Sequence, residues 1–237
     1  MEDRSLRQIH YSHINIIYED NHILVVEKPV NIASQQDRSG DKDMLTLMKE
    51  YIKEKYNKPG NVYLGLVHRL DRPVGGVMVF AKSSKAASRL SEQIRTRQFG
   101  KKYMAVIHGI PPVKSKKNLV HYLIKDRRRN IVKAVDSSIK GAQKAILDYK
   151  VIGQSSGMSL VEIALHTGRP HQIRVQFAEI GHPLYGDQKY GRHINKPGQQ
   201  IALWSKSITL IHPTLRESMT FSSLPNHSLY PWSLFDY

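Results

Sequence analysis

Asp71 is the residue around which chemistry is easiest to build. In the stretch GLVHRLDRPVGGVMVFAKS, Gly65 to Ser83, it lies between Arg69 and Arg72, with His68 before it and Gly75-Gly76 after it. Cations close to a carboxylate favour its ionised form and keep it ready as a nucleophile, although a structural ion pair perturbs an acid in the same way. A second constellation is HTGRPHQIR, His166 to Arg174. A helix starting near Pro170 would set His171 and Arg174 three residues apart on one face, able to point at a shared ligand. His166 and His171 lack helical i,i+4 spacing and a well-spaced acidic third ligand, so no metal site is expected. The third segment, GHPLYGDQKYG, Gly181 to Gly191, holds three glycines, a proline and Asp187, the composition of a constrained loop. A retaining glycosidase would pair Asp71 with a second carboxylate such as Glu162 or Asp187. The chain has no cysteine, so covalent chemistry would have to use oxygen or nitrogen.

These residues sit in a chain of 237 with 36 lysines and arginines against 20 acids, a formal charge of +16. That excess predicts attraction to a polyanion and salt-sensitive binding, with nucleic acid ahead of an acidic membrane surface. No run approaches the roughly 18 apolar residues of a membrane span. The N-terminus, MEDRSLRQIHYSHINIIYED, has no apolar core of signal-peptide length, so a soluble, cytoplasmic protein is expected.

The elements that must position the three segments can be read from spacing. Residues 1–13 read as a tail. NIIYE and HILVVEK read as strands joined at Asp20-Asn21 into a hairpin. Met44 to Tyr56 repeats Leu45, Met48 and Ile52 at helical spacing, and Lys58-Pro59-Gly60 ends it. VMVFAKS predicts a buried strand, followed by a helix with Ala87, Leu90 and Ile94 on one face and serine as its cap. Further strands are expected at 103–107, 119–124, 144–152, 159–166 and 201–211, with a helix starting near Pro170 and ending just before Gly181. The final segment, SSLPNHSLYPWSLFDY, should pack its aromatics onto the body. Short strands with few helices predict an α+β domain on a mainly antiparallel sheet rather than a regular βαβ alternation.

In this order the three segments closely resemble the RluA family of pseudouridine synthases. The family's HRLD motif stands as His68-Arg69-Leu70-Asp71, its GR(S/T)HQIR motif as Gly168 to Arg174, and its GHP…GD…YG loop as Gly181 to Gly191. A KPxG-like element appears at Lys28-Pro29-Val30-Asn31, and the K-x-Y-x-A strand at Lys101 to Ala105. The resemblance runs from about Asn15 to about Leu224. Asn31 stands where the family has glycine, a tolerable change because asparagine enters the left-handed region more readily than most residues. Pro170 replaces serine or threonine and removes a side-chain cap and one N–H.

The resemblance implies a pseudouridine synthase fold: a mixed, mainly antiparallel sheet with flanking helices and a central RNA-binding cleft, spanning residues 14–237. It implies an RNA isomerase that detaches uracil N1 from ribose C1′, turns the base and rejoins it through C5, with no cofactor and no metal. Asp71 is implied as the nucleophile, Arg174 as its ion-pair partner, and Tyr103 as the residue that stacks on uracil and removes the C5 proton. Arg69 is implied to fill the space of the extruded base, and His68, Arg72, Arg169 and His171 to join it in contacting RNA. The partner would be ribosomal or transfer RNA, bound by a monomer with no obligate protein partner. Only the short tail precedes the first strand, so the S4 domain of many family members is expected to be absent. Basic clusters at 114–117, 125–129 and 95–102 are candidates for the RNA footprint. The competing readings are a non-catalytic RNA-binding or RNA-chaperone protein and a glycoside hydrolase.

Overall fold

The computed structural model describes residues 9–112 and 117–237. Residues 1–8 of the expected tail and 114–116 of the basic cluster lie outside the described residues. The N-terminal hairpin forms as its turn chemistry predicts. β1 (Asn15–Glu19) and β2 (Ile23–Lys28) pair antiparallel, and Asp20 Oδ1 accepts the amides of His22 and Ile23 at 2.7 and 2.8 Å. α1 (Met44–Lys55) is capped by Asp43, whose side chain accepts from the Thr46 amide. Its buried face is Met44, Leu47, Met48 and Ile52, so the seam is rotated slightly from the expected one and Leu45 is half-buried.

Next come β3 (Gly65–Leu66), β4 (Gly75–Ala81) and α2 (Ser84–Arg95), the helix capped by Ser83. α2 also departs from the simple apolar pattern. Gln93 is buried, exchanging hydrogen bonds with both backbone groups of Ile211 at 2.7 and 2.9 Å, while Ile94 is half-buried. A polar side chain can occupy a core position when its partners are supplied. β5 (Gly100–His108), β6 (Lys117–Asp126), β7 (Ile131–Val135), β8 (Gln143–Ser155) and β9 (Met158–Leu165) follow. The chain ends with α3 (Gln172–Glu179), β10 (Leu203–Ile211) and β11 (Ser218–Ser222). The short β3, and β7 and β11 at the ends of hairpins, are strands that spacing alone did not reveal.

The described strands form one sheet in the order β1-β2-β4-β10-β5-β9-β8-β6-β7, with β11 on β10 and β3 on β4. Only β4 and β10 run parallel among the strand pairs described; the rest are antiparallel. The α+β class and mainly antiparallel sheet are as expected. Alternation explains why the central strands read as unbroken apolar runs, because both faces are covered. On one face Leu24, Val26, Met78, Phe80, Tyr103 and Ala105 pack with α1 and α3. On the other, Val25, Val77 and Val79 pack with Leu90 of α2, and Met104 and Val106 meet Trp232 and Phe235 from the C-terminal segment.

The parallel junction explains Gly75-Gly76. A Cβ on Gly75 would strike the Trp204 ring, and Gly76, at φ +111°, lies against the Ser205 backbone. β4 therefore approaches β10 closely enough to fix the loop that enters it, which is the loop carrying Asp71.

Candidate active site

Three separate attachments hold the Asp71 loop. Leu70 exchanges hydrogen bonds with Ser34, its amide donating at 3.0 Å and its carbonyl accepting at 2.7 Å. The Val74 amide donates to the Asp71 carbonyl at 3.0 Å, closing a turn. Beneath it, the buried Lys28 ammonium donates to the carbonyls of Pro29, Arg72 and Val74 at 2.9, 3.1 and 2.7 Å. Burial pulls this lysine down to about 7, with the Asp71 charge opposing. Asn31, just beyond, takes φ +66° as its side-chain type allows.

The carboxylate itself faces a distant segment. Arg174 Nη1 lies 3.4 Å from Asp71 Oδ2, and His171 Nε2 lies 4.0 Å from the same oxygen. The stronger partner of Arg174 is Asp187, which receives Nε at 2.8 Å and Nη2 at 2.7 Å in a two-pronged bond. Asp187 also accepts the amides of Lys189 and Tyr190. Burial alone would raise its carboxyl, but Arg174 and these amides outweigh that and hold it below the usual range.

The helix carrying Arg174 starts later than expected. α3 begins at Gln172, not Pro170, because His171 adopts φ +51° and breaks the helical path. Gln172 supplies the local closure, its Oε1 accepting from the Arg169 amide at 3.0 Å and the Thr167 hydroxyl at 2.8 Å. Pro170 sits in this turn and has no N–H to satisfy. His171 and Arg174 nevertheless converge, as the shared-ligand reading required. The Tyr190 hydroxyl accepts the Val132 amide at 2.9 Å and lies 2.6 Å from His171 Nδ1. Burial holds His171 at about 4, against the pull of Asp71, so the ring is neutral at neutral pH.

Asp71, Tyr103, Arg174, His68, Arg69, Arg72, Arg169 and His171 all line one cleft of about 1610 Å³. That volume exceeds the roughly 300–1,000 Å³ of small-molecule pockets and suits a macromolecular ligand. The eight residues differ in what they touch. Arg72 turns away from Asp71 and grips Asp37 through two nitrogens, with Asp41 at 2.8 Å. His68 Nε2 accepts the Val79 amide at 2.9 Å, and burial with the Lys101 charge lowers the ring to about 3. It is therefore neutral and committed to the backbone of β4. Arg169 donates to the Lys144 carbonyl at 3.1 Å, while Arg69 is exposed with no side-chain partner among the described residues. Tyr103 is buried, and its phenol is raised by burial and by Asp71, with Ser205 partly opposing.

Of the expected basic clusters, Arg95, Arg97, Lys101, Lys102 and Lys125 line the cleft, and Arg127 to Arg129 are exposed on the turn between β6 and β7. Lys28 and Tyr190 are contributors that sequence reasoning did not assign a role, and Asp187 enters that reasoning only as the second carboxylate of a glycosidase. Their signals were the KP element and the GD…YG loop. No three His, Asp or Glu side chains converge as a metal cluster among the described residues, and no described helix is long and apolar enough to cross a membrane.

This fold and cleft match known proteins along most of the chain. A family model described as RNA pseudouridylate synthase matches residues 22–179. An uncharacterised RNA pseudouridine synthase of Bacillus subtilis is 34% identical over 211 residues, covering 87% of this chain and 67% of the relative. A ribosomal large subunit pseudouridine synthase C of Buchnera aphidicola is 33% identical over 205 residues, covering 84% and 63%. This chain thus spans about two thirds of the length of these curated relatives. Human RNA pseudouridylate synthase domain containing 4 superposes with a TM-score of 0.75 at 25% identity, over 94% of both chains. The domain-containing-1 protein shares the fold, with a TM-score of 0.73 at 20% identity over 98% and 89% of the two chains. The chain belongs to the RNA pseudouridylate synthase family, of the RluA type.

Proposed function

We propose that this protein is an RNA pseudouridine synthase in which Asp71 is the nucleophile. The observation that carries the reading is the placement of Asp71. Its carboxylate keeps an open oxygen in a cleft lined by arginines and lysines, with Arg174 3.4 Å away to orient it. Attack at ribose C1′, a glycal route through C2′ and addition at uracil C6 all begin with this carboxylate. The site asks the protein for no cofactor: the bond from C1′ to N1 breaks, one from C1′ to C5 forms, C5 gives up a proton to solvent and N1 takes one up, so the reaction is a net isomerisation.

The other residues divide the remaining work. Tyr103 offers a buried aromatic face for uracil. Its phenol is raised by burial and by Asp71, so it is protonated at rest, and it takes up the C5 proton while passing its own on. Extruding a uridine costs a few kcal/mol, which phosphate contacts and the free guanidinium of Arg69, placed in the vacated stack, offset. Arg169 and Arg72 line the path for the strand, while the His171 ring stands beside Asp71, its Nε2 4.0 Å from the carboxylate. His68 acts from behind, by holding β4.

The substrate uridine lies in ribosomal or transfer RNA. Relatives named as ribosomal large subunit synthases favour the former for this chain. The protein would act in the cytoplasm as a monomer, within a single domain spanning 14–237. Pseudouridine mapping of RNA from cells with and without the gene tests the activity and finds the target together. One or more sites should be lost with the gene, whereas an unchanged map would favour a non-catalytic RNA-binding protein.

A further inference from the structure

Lys101 lines the cleft but has no individual role in the site described above. It lies on β5 two residues before Tyr103, and strand alternation puts the two on one face. Tyr103, Ala105 and Ile107 on that face are core, so Lys101 continues the row past the edge of the core into the cleft wall. Its Nζ lies 3.0 Å from where a Cβ on Gly168 would stand, tucked under the turn that leads to Arg169. Its charge also bears on His68, so it sits between the HRLD segment and the TGRP turn. Among the described residues no carboxylate, carbonyl or hydroxyl takes a hydrogen bond from this ammonium, although burial lowers its pKa.

A half-buried ammonium with no counter-ion is costly, and an arriving anion relieves the cost. Its neighbours on the wall, a neutral His68, Gly168 and Arg169, supply no negative charge. Uracil is neutral, so the anionic part of the substrate able to reach Lys101 is its sugar-phosphate backbone. We propose that Lys101 Nζ is a phosphate-binding subsite that holds a backbone phosphate beside the extruded uridine, with the Gly168 turn left without a side chain to make room for it. The inference rests on the RNA reading of the cleft, but not on catalysis.

The test uses the full chain in an Asp71→Asn background, so that binding is read without turnover. Affinity for a fluorescent uridine-containing stem-loop RNA is measured across a salt series for this protein and for versions also carrying Lys101→Met, Lys101→Gln or Lys101→Arg. Methionine and glutamine should each weaken binding about tenfold and flatten the slope of log K against log salt by about 0.7–0.9, one phosphate contact. Arginine should retain most of the slope, and Lys85→Met, an exposed lysine of α2 outside the cleft wall, should leave it unchanged. An unchanged slope in a folded Lys101→Met or Lys101→Gln protein overturns the subsite, and so does an equal loss in Lys85→Met. RNA binding with these slopes, but without C5 tritium release by the wild type, would sink the isomerase reading and leave the Lys101 subsite standing.

Discussion

Two carboxylates share the Arg174 guanidinium, and they are held in opposite ways. Asp187, in the Gly181–Gly191 loop, is fully buried and bound by two guanidinium nitrogens and two amides. Asp71 leaves 30% of its side chain exposed and has a single 3.4 Å contact to Nη1. In the proposed mechanism the difference separates positioning from reactivity. Asp187 neutralises and orients Arg174, and the oriented guanidinium then steadies Asp71 without saturating its lone pairs. A carboxylate bonded like Asp187 would be a poor nucleophile, and one held as loosely as Asp71 could not anchor a buried arginine.

The largest effect should follow from breaking the buried half of this arrangement. Asp187→Asn leaves Arg174 without its main counter-ion and should cost about 3–5 kcal/mol of stability in urea unfolding. Asp71→Asn should stay within about 0.5 kcal/mol of wild type, because the Arg174–Asp187 pair remains neutral without it. Equal losses would erase the distinction. Removing both members, Arg174→Met with Asp187→Leu, should recover stability beyond either single change while turnover stays lost. Lys28→Met should cost about 1–3 kcal/mol by orphaning the carbonyls that it gathers, and should lower activity by loosening the Asp71 loop. Unaltered activity in that variant would remove Lys28 from the support of Asp71.

A further effect concerns pH. His68 falls to about 3 in the folded protein from an ordinary 6.5, so between those values the unfolded chain binds the extra proton. Its contribution to stability is present above about 6.5 and is lost as pH falls toward 3. Thermal melts of His68→Gln should therefore show a shallower acid limb than wild type over that window, and parallel curves would refute it.

Much of the site was legible because each motif is local. HRLD, HQIR and GD…YG each mark a short loop or helix start whose residues travel together. What adjacency suggested and the fold rearranged was pairing. Arg72 stands next to Asp71 in sequence, yet it binds Asp37 and Asp41, while the partner of Asp71 lies 103 residues away. The anchoring role of Asp187 was invisible because an aspartate in a glycine-rich turn reads as turn chemistry until the burial of Arg174 is known. The start of α3 was misplaced because proline is a good first helical residue, and nothing local announced the left-handed His171. The two-faced core was legible from the apolar runs of β2 and β4, whereas β7 and β11 depend on their hairpin partners.

In the proposed mechanism Asp71 makes the covalent attack, Arg174 and Asp187 orient it, and Tyr103 handles the proton. Tritium release from RNA labelled at uridine C5, measured for wild type and Asp71→Asn alongside RNA binding, tests it most directly. The expected result is release by the wild type and none by the variant, with affinities within a few-fold of each other. Continued release by a folded Asp71→Asn protein would contradict the assignment.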